Sequence, residues 1–338
     1  MLGVMKIRAQ KREGNQAIIE AEEDYSRFEE AAGRALAAAG REIKLPGFRS
    51  GKAPREMVER AIDREYIEQR AAQNLISEIY PKMIDEAKID PVDYPKVEII
   101  QQEKGKPFVF KIAVEVYPEV KLGKYKGLKV EKRSAAVAEE EILKVLGNLE
   151  ERFSGPLDDE FARKVSRFGT LAELKEEIRQ AAQKEKAAEA EADLKNQLVA
   201  AASAEAKVEI PPAMVEREID VMLDELKTSL DQSNLTLEDY LKGAKKEEKA
   251  MRDEMRKSAE IRVRGKVVLK AVAEAEKIKV TTEEMQAEFK SLAESSETKP
   301  EEIEKRMGES GRKYVEEYLL RKKSLDFLVE KASIKEAK

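Results

Sequence analysis

Residues 106–118 read KPFVFKIAVEVYP. Phe108, Phe110, Ile112, Val114 and Val116 recur at every second position, with Lys111 and Glu115 among the residues between them. Successive side chains of a strand point to opposite faces, so this spacing predicts a β-strand with one buried face, in a chain that otherwise reads mostly as charged, alanine-rich helix. Immediately upstream, PKVEIIQQ (95–102) is a second strand candidate, and EKGK (103–106) suits the turn joining the two. Near the start, Met5, Ile7 and Ala9 alternate with Lys6, Arg8 and Gln10. After the polar KREGN (11–15), QAIIEAE (16–22) alternates again, so residues 4–22 predict a further hairpin. Between the hairpins lie helical patterns. One begins at Asp24 and runs to about Gly40; the next starts at Pro54 and carries Leu75, Ile79, Met83 and Ala87 on one face. Strands, helices, then strands make residues 1–118 an α+β domain.

Downstream, EVKLGKYKGLKVEKRSAAV (119–137) reads as an extended connector, followed by a helix over Ala138–Phe153 and a break at SGPLDDEF (154–161). From residue 157 to 338 almost everything is helical. A long helix covers 171–206, another starts at the prolines of EIPPAMVEREID (209–220), a third covers 247–278, and shorter ones follow at 282–294, 299–307 and 312–332. No heptad pattern persists through them, which predicts a helical bundle with protruding hairpins. The overall expectation is α+β: an N-terminal α+β domain, a connector over 119–156, and an all-α domain over 157–338.

Composition narrows the function. The 338 residues hold 64 basic and 69 acidic side chains, and no histidine, cysteine or tryptophan. Near-balanced charge argues against a surface built wholly for nucleic acid, so any such contact is local. Without cysteine or histidine there is no thiolate nucleophile, no zinc–thiolate site and no imidazole base, and neither a phosphate-binding glycine loop nor a nucleophile elbow is present. No catalytic residue, cofactor or metal ligand is assigned. Acidic pairs such as Asp158–Asp159 and Glu283–Glu284 sit beside predicted helix starts, where they serve as caps. No apolar run reaches the ~18 residues needed to span a bilayer, and the first twenty lack a secretory core, which leaves a cytoplasmic location as the default.

One loop stands out. LPGFRSGKAP (45–54) places two prolines and two glycines between two helices, and Lys44, Arg49, Lys52 and Arg55 lie around it without an acidic residue, although residues 1–118 hold 20 basic and 21 acidic side chains. Two readings stay open from these residues: a docking loop presenting Phe48 and cations to phosphate or carboxylate, or a tight turn with Phe48 tucked into its own core. The methionines of the helical half, including Met214, Met222, Met251, Met255, Met285 and Met307, are similarly ambiguous between gap-filling and an adaptable apolar surface.

GFRSGKAP between two helices of an N-terminal α+β domain resembles the ribosome-binding signature of bacterial trigger factor. EVYPEVKL (115–122), LDDEFARKVSRFGTLAELKEEIR (157–179) and VEIPPAMVEREID (208–220) are similar, in order, to the end of that family's ribosome-binding domain, the start of its helical domain and its first arm. The resemblance implies an ATP-independent chaperone that docks at the polypeptide exit tunnel of the large ribosomal subunit, contacting protein and rRNA, and shields nascent or unfolded polypeptides. Gly47, Phe48, Arg49, Ser50, Gly51, Lys52 and Pro54 would form the ribosome-binding site. Met222 and Leu226 in the first arm, and Ile303 and Met307 near the second, are the candidate substrate-binding residues. No membrane or DNA partner is expected. Relatives self-associate off the ribosome, so a homodimer stays open for this chain.

Two features depart from the family. It usually carries an FKBP-like peptidyl-prolyl isomerase domain, on the order of 100 residues, between connector and helical domain. Here Phe153 meets Leu157 across Ser154, Gly155 and Pro156, which implies either an engineered deletion or a natural lineage without the domain, and no isomerase activity. Ser50 stands where relatives typically have a basic residue, which predicts weaker docking. Two other readings remain: a helical scaffold anchored through its basic loop to RNA or an acidic partner, and a periplasmic chaperone, which the missing signal sequence disfavours.

Overall fold

The computed structural model describes residues 5–46, 48, 51, 52, 54–296 and 298–337. In chain order the elements are β1 (Lys6–Glu13), β2 (Gln16–Glu23), α1 (Tyr25–Glu42), α2 (Arg55–Ala61), α3 (Arg64–Ala87), β3 (Lys96–Gln101), β4 (Phe108–Glu115), β5 (Lys129–Lys132), α4 (Glu139–Phe153), α5 (Asp159–Val165), α6 (Leu171–Glu205), α7 (Pro212–Asp231), α8 (Leu237–Ala244), α9 (Glu248–Ala275), α10 (Thr282–Ser295), α11 (Pro300–Lys331) and β6 (Ser333–Glu336). They form two compact units, Met1–Glu119 with Glu209–Val263, and Val120–Val208 with Arg264–Lys338. Among the described residues no helix is long and apolar enough to cross a membrane.

The first unit contains a four-stranded antiparallel sheet in the order β1-β2-β4-β3. The period-two stretch is its centre: Phe108, Phe110, Ile112 and Val114 are buried on β4, and Ala17, Ile19 and Ala21 alternate into the interior from β2. The apolar faces of α1 and α3 cover the Phe110 and Ile112 side of the sheet with Phe28, Leu75, Ile79 and Met83. Phe28 stacks on Phe108 with ring centroids 4.9 Å apart, an offset arrangement that adds to the area buried. The helix expected to run unbroken from Pro54 is two helices. Ile62 is extended, and the Asp63 side chain accepts a hydrogen bond from the Glu65 N–H at 3.0 Å, so a new N-cap restarts the helix there.

The same unit holds an arm. Val215, Ile219 and Leu223 of α7 pack against Met251 and Ala259 of α9, with Leu237 and Leu241 of α8 at the margin. Beside this seam Arg252 contacts Asp220 at 2.7 Å and Glu216 at 3.0 Å, and Arg256 reaches Glu216 at 2.6 Å. These guanidinium groups hold the Glu216 carboxyl below the ordinary carboxylate range. At the arm's root, the Asn15 amide donates to the Glu209 carbonyl at 2.7 Å, and Glu115 Oε2 accepts from the Ala213 N–H at 3.0 Å.

In the second unit the connector is packed rather than free. Leu128 and Val130 are buried against Leu194 and Leu198 of α6, Val268 and Val272 of α9, and Leu328 of α11. β5 pairs in parallel with β6 from the far end of the chain. A four-residue strand shows little periodicity, and its partner is remote in sequence, so neither was predicted. Ile142, Leu146, Ala162 and Leu174 form a small core joining α4, α5 and α6. Asp158 caps α5 by accepting from the Phe161 N–H at 2.8 Å, and Thr170 with Glu173 makes a capping box for α6. A hairpin of α10 and α11 closes over Phe289, Val315 and Leu319.

Candidate functional site

The loop after α1 is held at both ends. Leu45 packs against the sheet-and-helix core, the Phe48 N–H donates to the Leu45 carbonyl at 3.1 Å, and Pro54 caps α2, its carbonyl accepting from the Met57 N–H at 3.0 Å. Val58, one turn into α2, is buried. Gly51 has φ 74°, a left-handed conformation that a side chain disfavours, so glycine sets the return of the chain toward Pro54. Gly47, Arg49 and Ser50 lie outside the described residues.

Between these anchors Phe48 is 39% exposed, so part of the residue is open to solvent. Met57, exposed on α2, adds a second apolar side chain that sequence reasoning passed over. Lys44 and Lys52 are exposed and make no ion pair among the described residues. Of the acidic groups nearby, Glu42 meets Arg70 at 3.5 Å and Glu59 meets Arg55 at 2.8 Å, while Glu56 in the first turn of α2 is exposed. The loop therefore offers an aromatic ring and exposed ammonium groups, an arrangement suited to a partner carrying phosphate or carboxylate.

The four candidate substrate residues fall in two places. Met222 and Leu226 are half-buried against the α7/α9 core of the first unit, and Ile303 and Met307 are half-buried against the α10/α11 core of the second. In the first unit, Val221, Leu235, Tyr240 and Ile261 are the more exposed apolar side chains of the arm; on α11 they are Tyr314 and Tyr318. Periodicity picks out the stripe that faces a neighbour, and a solvent-facing residue such as Ile261 carries no periodic signal. Among the described residues no group of three or more acidic side chains could hold a metal ion.

The family model described as bacterial trigger factor protein matches residues 5–149, and the model of its C-terminus matches 170–330. The chain belongs to the bacterial trigger factor family. It is 30% identical to the trigger factor of Moorella thermoacetica across 96% of this chain and 94% of the relative. It is 32% identical to trigger factor 1 of Desulfitobacterium hafniense across 97% and 100%. A solved trigger factor chaperone, studied for promiscuous substrate recognition in folding and assembly, shares the fold with a TM-score of 0.56 at 16% identity, covering 96% of this chain and 99% of that one. Nothing in these matches supports the scaffold alternative. The alignment with the Moorella protein runs over 424 positions, so about 100 positions have no counterpart among the 338 residues here. Only residues 150–169 separate the two family matches, too few for an isomerase domain of on the order of 100 residues.

Proposed function

We propose that this ribosome-associated chaperone docks through the loop of residues 45–54 and holds clients along its helical arms without nucleotide hydrolysis. The observation that carries the docking site is Phe48, exposed at the tip of a loop whose two ends are fastened to the core. Carried over from the family motif, Gly47, Gly51 and Pro54 shape the loop, Phe48 and Arg49 meet the exit-tunnel protein and adjacent rRNA, and Lys52 adds a phosphate contact. The same reading places the chain in the cytoplasm. Clients are nascent or unfolded chains, met by apolar side chains spread over both arms, with Met222, Leu226, Ile303 and Met307 at the margins of those surfaces. Several weak apolar contacts give avidity while each stays easily reversed, so release needs no ATP. With the isomerase domain missing, holding rather than catalysis is the activity.

Cosedimentation with 70S ribosomes tests the docking site. Phe48→Ala combined with Arg49→Ala is expected to weaken binding by about a hundredfold, as loss of an aromatic anchor and a charged contact at one hot spot does. The remaining affinity of the unmodified chain should fall steeply with added salt, since phosphate contacts release counterions. Unchanged pelleting of the double variant would remove the loop from the site.

A further inference from the structure

The two edges of the four-stranded sheet are unlike. β1 at one edge, KIRAQKRE, is studded with lysine and arginine, the usual protection against pairing with another chain. β3 at the other edge, KVEIIQ, is exposed along almost its whole length, carries the exposed apolar side chains Val97, Ile99 and Ile100 between Lys96, Glu98 and Gln101, and its outer side pairs with no strand among the described residues. Val97 lies opposite Ile112 and Ile99 opposite Phe110, so both belong to the helix-covered face of the sheet, yet they are 45% and 39% exposed. The reason is that α3 stops short of covering the edge strand. What remains between α3 and β3 is a groove of about 650 Å³, lined by Ala72, Ile76 and Tyr80 from the helix and by Tyr94, Val97 and Ile99 from the strand side.

Two properties of the groove specify an occupant. None of its ten lining residues is charged, in a chain where 39% of residues are, so the groove is matched to an uncharged ligand. Polar demand is nevertheless present: the Tyr80 hydroxyl is buried with no hydrogen-bond partner among the described residues, and burial pushes its phenol up from the ordinary value. A buried, unpaired hydroxyl costs free energy until a partner arrives. An open strand edge supplies backbone donors and acceptors, and alternate side chains of an added strand fall on one face.

We propose that the groove between α3 and β3 is a second polypeptide-binding site, in which an extended, uncharged client segment of about six residues adds to the free edge of β3 and lays alternate apolar side chains against Ile76, Val97 and Ile99. A backbone or amide group of the segment satisfies the Tyr80 hydroxyl. This rests on the reading of the chain as a chaperone and assigns to the ribosome-docking unit a client site separate from the arms.

The test uses the full chain and a fluorescein-labelled, end-capped peptide about ten residues long of alternating leucine and threonine. A second peptide has alternate backbone nitrogens methylated. Val97→Lys with Ile99→Lys replaces two part-exposed side chains and is expected to weaken peptide binding about tenfold, the loss of roughly two part-buried side chains. Backbone methylation should weaken binding to the unmodified chain by a similar factor, and Tyr80→Phe by about threefold. Because the methylated peptide and Tyr80→Phe leave the strand intact, the proposal stays open to refutation if the double variant misfolds. Equal affinity for both peptides, or an unchanged affinity in the lysine variant, overturns it. If the chain still suppresses aggregation in that case, the chaperone reading stands and the groove alone is lost; if it neither suppresses aggregation nor binds peptide, both fall. A lysine variant that only converts a dimer to a monomer in sedimentation velocity would make the groove a contact between copies and overturn the proposal.

Discussion

Glu23 closes β2 with its carboxylate carried into the interior, 2% exposed. Arg27, one helical turn into α1, meets it at 2.8 Å and also reaches Glu78 at 2.7 Å, while the Asp24 N–H donates to Glu23 at 3.1 Å. The strand-to-helix corner is thus fastened by a charge that would be costly if left unpaired. Replacing Arg27 with methionine keeps much of the packing and removes the partner, so Arg27→Met is expected to lower unfolding stability by about 2–4 kcal/mol. Chemical denaturation followed by far-UV circular dichroism measures this, and a loss below ~0.5 kcal/mol would show that the carboxylate is satisfied without Arg27. Nothing in the alternating pattern of QAIIEAE announces how a buried charge at the next position, Glu23, is held, because periodicity assigns a face without saying how a polar residue on that face is neutralised. Phe48 shows the converse: its loop was legible from proline and glycine, its exposure was not.

At the scale of elements, the α10/α11 hairpin depends on a bend. Thr281 and Glu284 cap α10 reciprocally, and Lys323 from α11 sits 2.6 Å from Glu284, holding its carboxyl below the ordinary range with help from the Thr281 N–H. Gly308 takes φ 61° and breaks α11 into two helical stretches. Beyond the bend, a Cβ on Gly311 would lie 2.2 Å from the Met307 Cβ, a separation no side chain can hold. Gly311→Val is therefore expected to open the hairpin. Amide hydrogen exchange should show protection across residues 282–331 falling roughly tenfold or more while the sheet is unaffected, and undiminished protection would mean that the bend relaxes at no cost. The capping signals here were readable in sequence, since Ser/Thr-x-x-Glu before an apolar run is a local pattern. The break at Ile62 and Asp63 carries a weaker signal, a lone aspartate cap without the glutamate three residues on. β5 and β6 could not be paired from sequence, because each is too short to identify itself without the other.

For the whole molecule, the activity expected is retention of unfolded chains without turnover. At several-fold excess the chain should suppress aggregation of a chemically unfolded client equally with and without ATP, and should accelerate prolyl isomerisation no more than buffer does. Light scattering and a protease-coupled peptide assay read the two. Isomerisation well above background would overturn the inference drawn from the missing domain. Each compact unit draws on segments far apart in the chain: Glu209–Val263 folds with Met1–Glu119, fastened through Asn15, Glu115, Glu209 and Ala213. These are single hydrogen bonds between residues about a hundred or more positions apart, and no linear pattern foretells them.

By itself the sequence determined the α+β character of the first hundred residues and the helical nature of the rest, and these are carried by local spacing: period two for strands, 3.6 for helices, and glycine and proline where the chain must turn. The family is carried differently, by the resemblance of ordered motifs such as GFRSGKAP. The tertiary structure decided which side chains are left uncovered. Phe48 is left 39% exposed on a loop anchored through Leu45 and Pro54, and Val97 and Ile99 stand open because α3 does not reach the edge of the sheet. A residue's pattern states which face it occupies; whether that face is covered depends on neighbours brought from elsewhere in the chain.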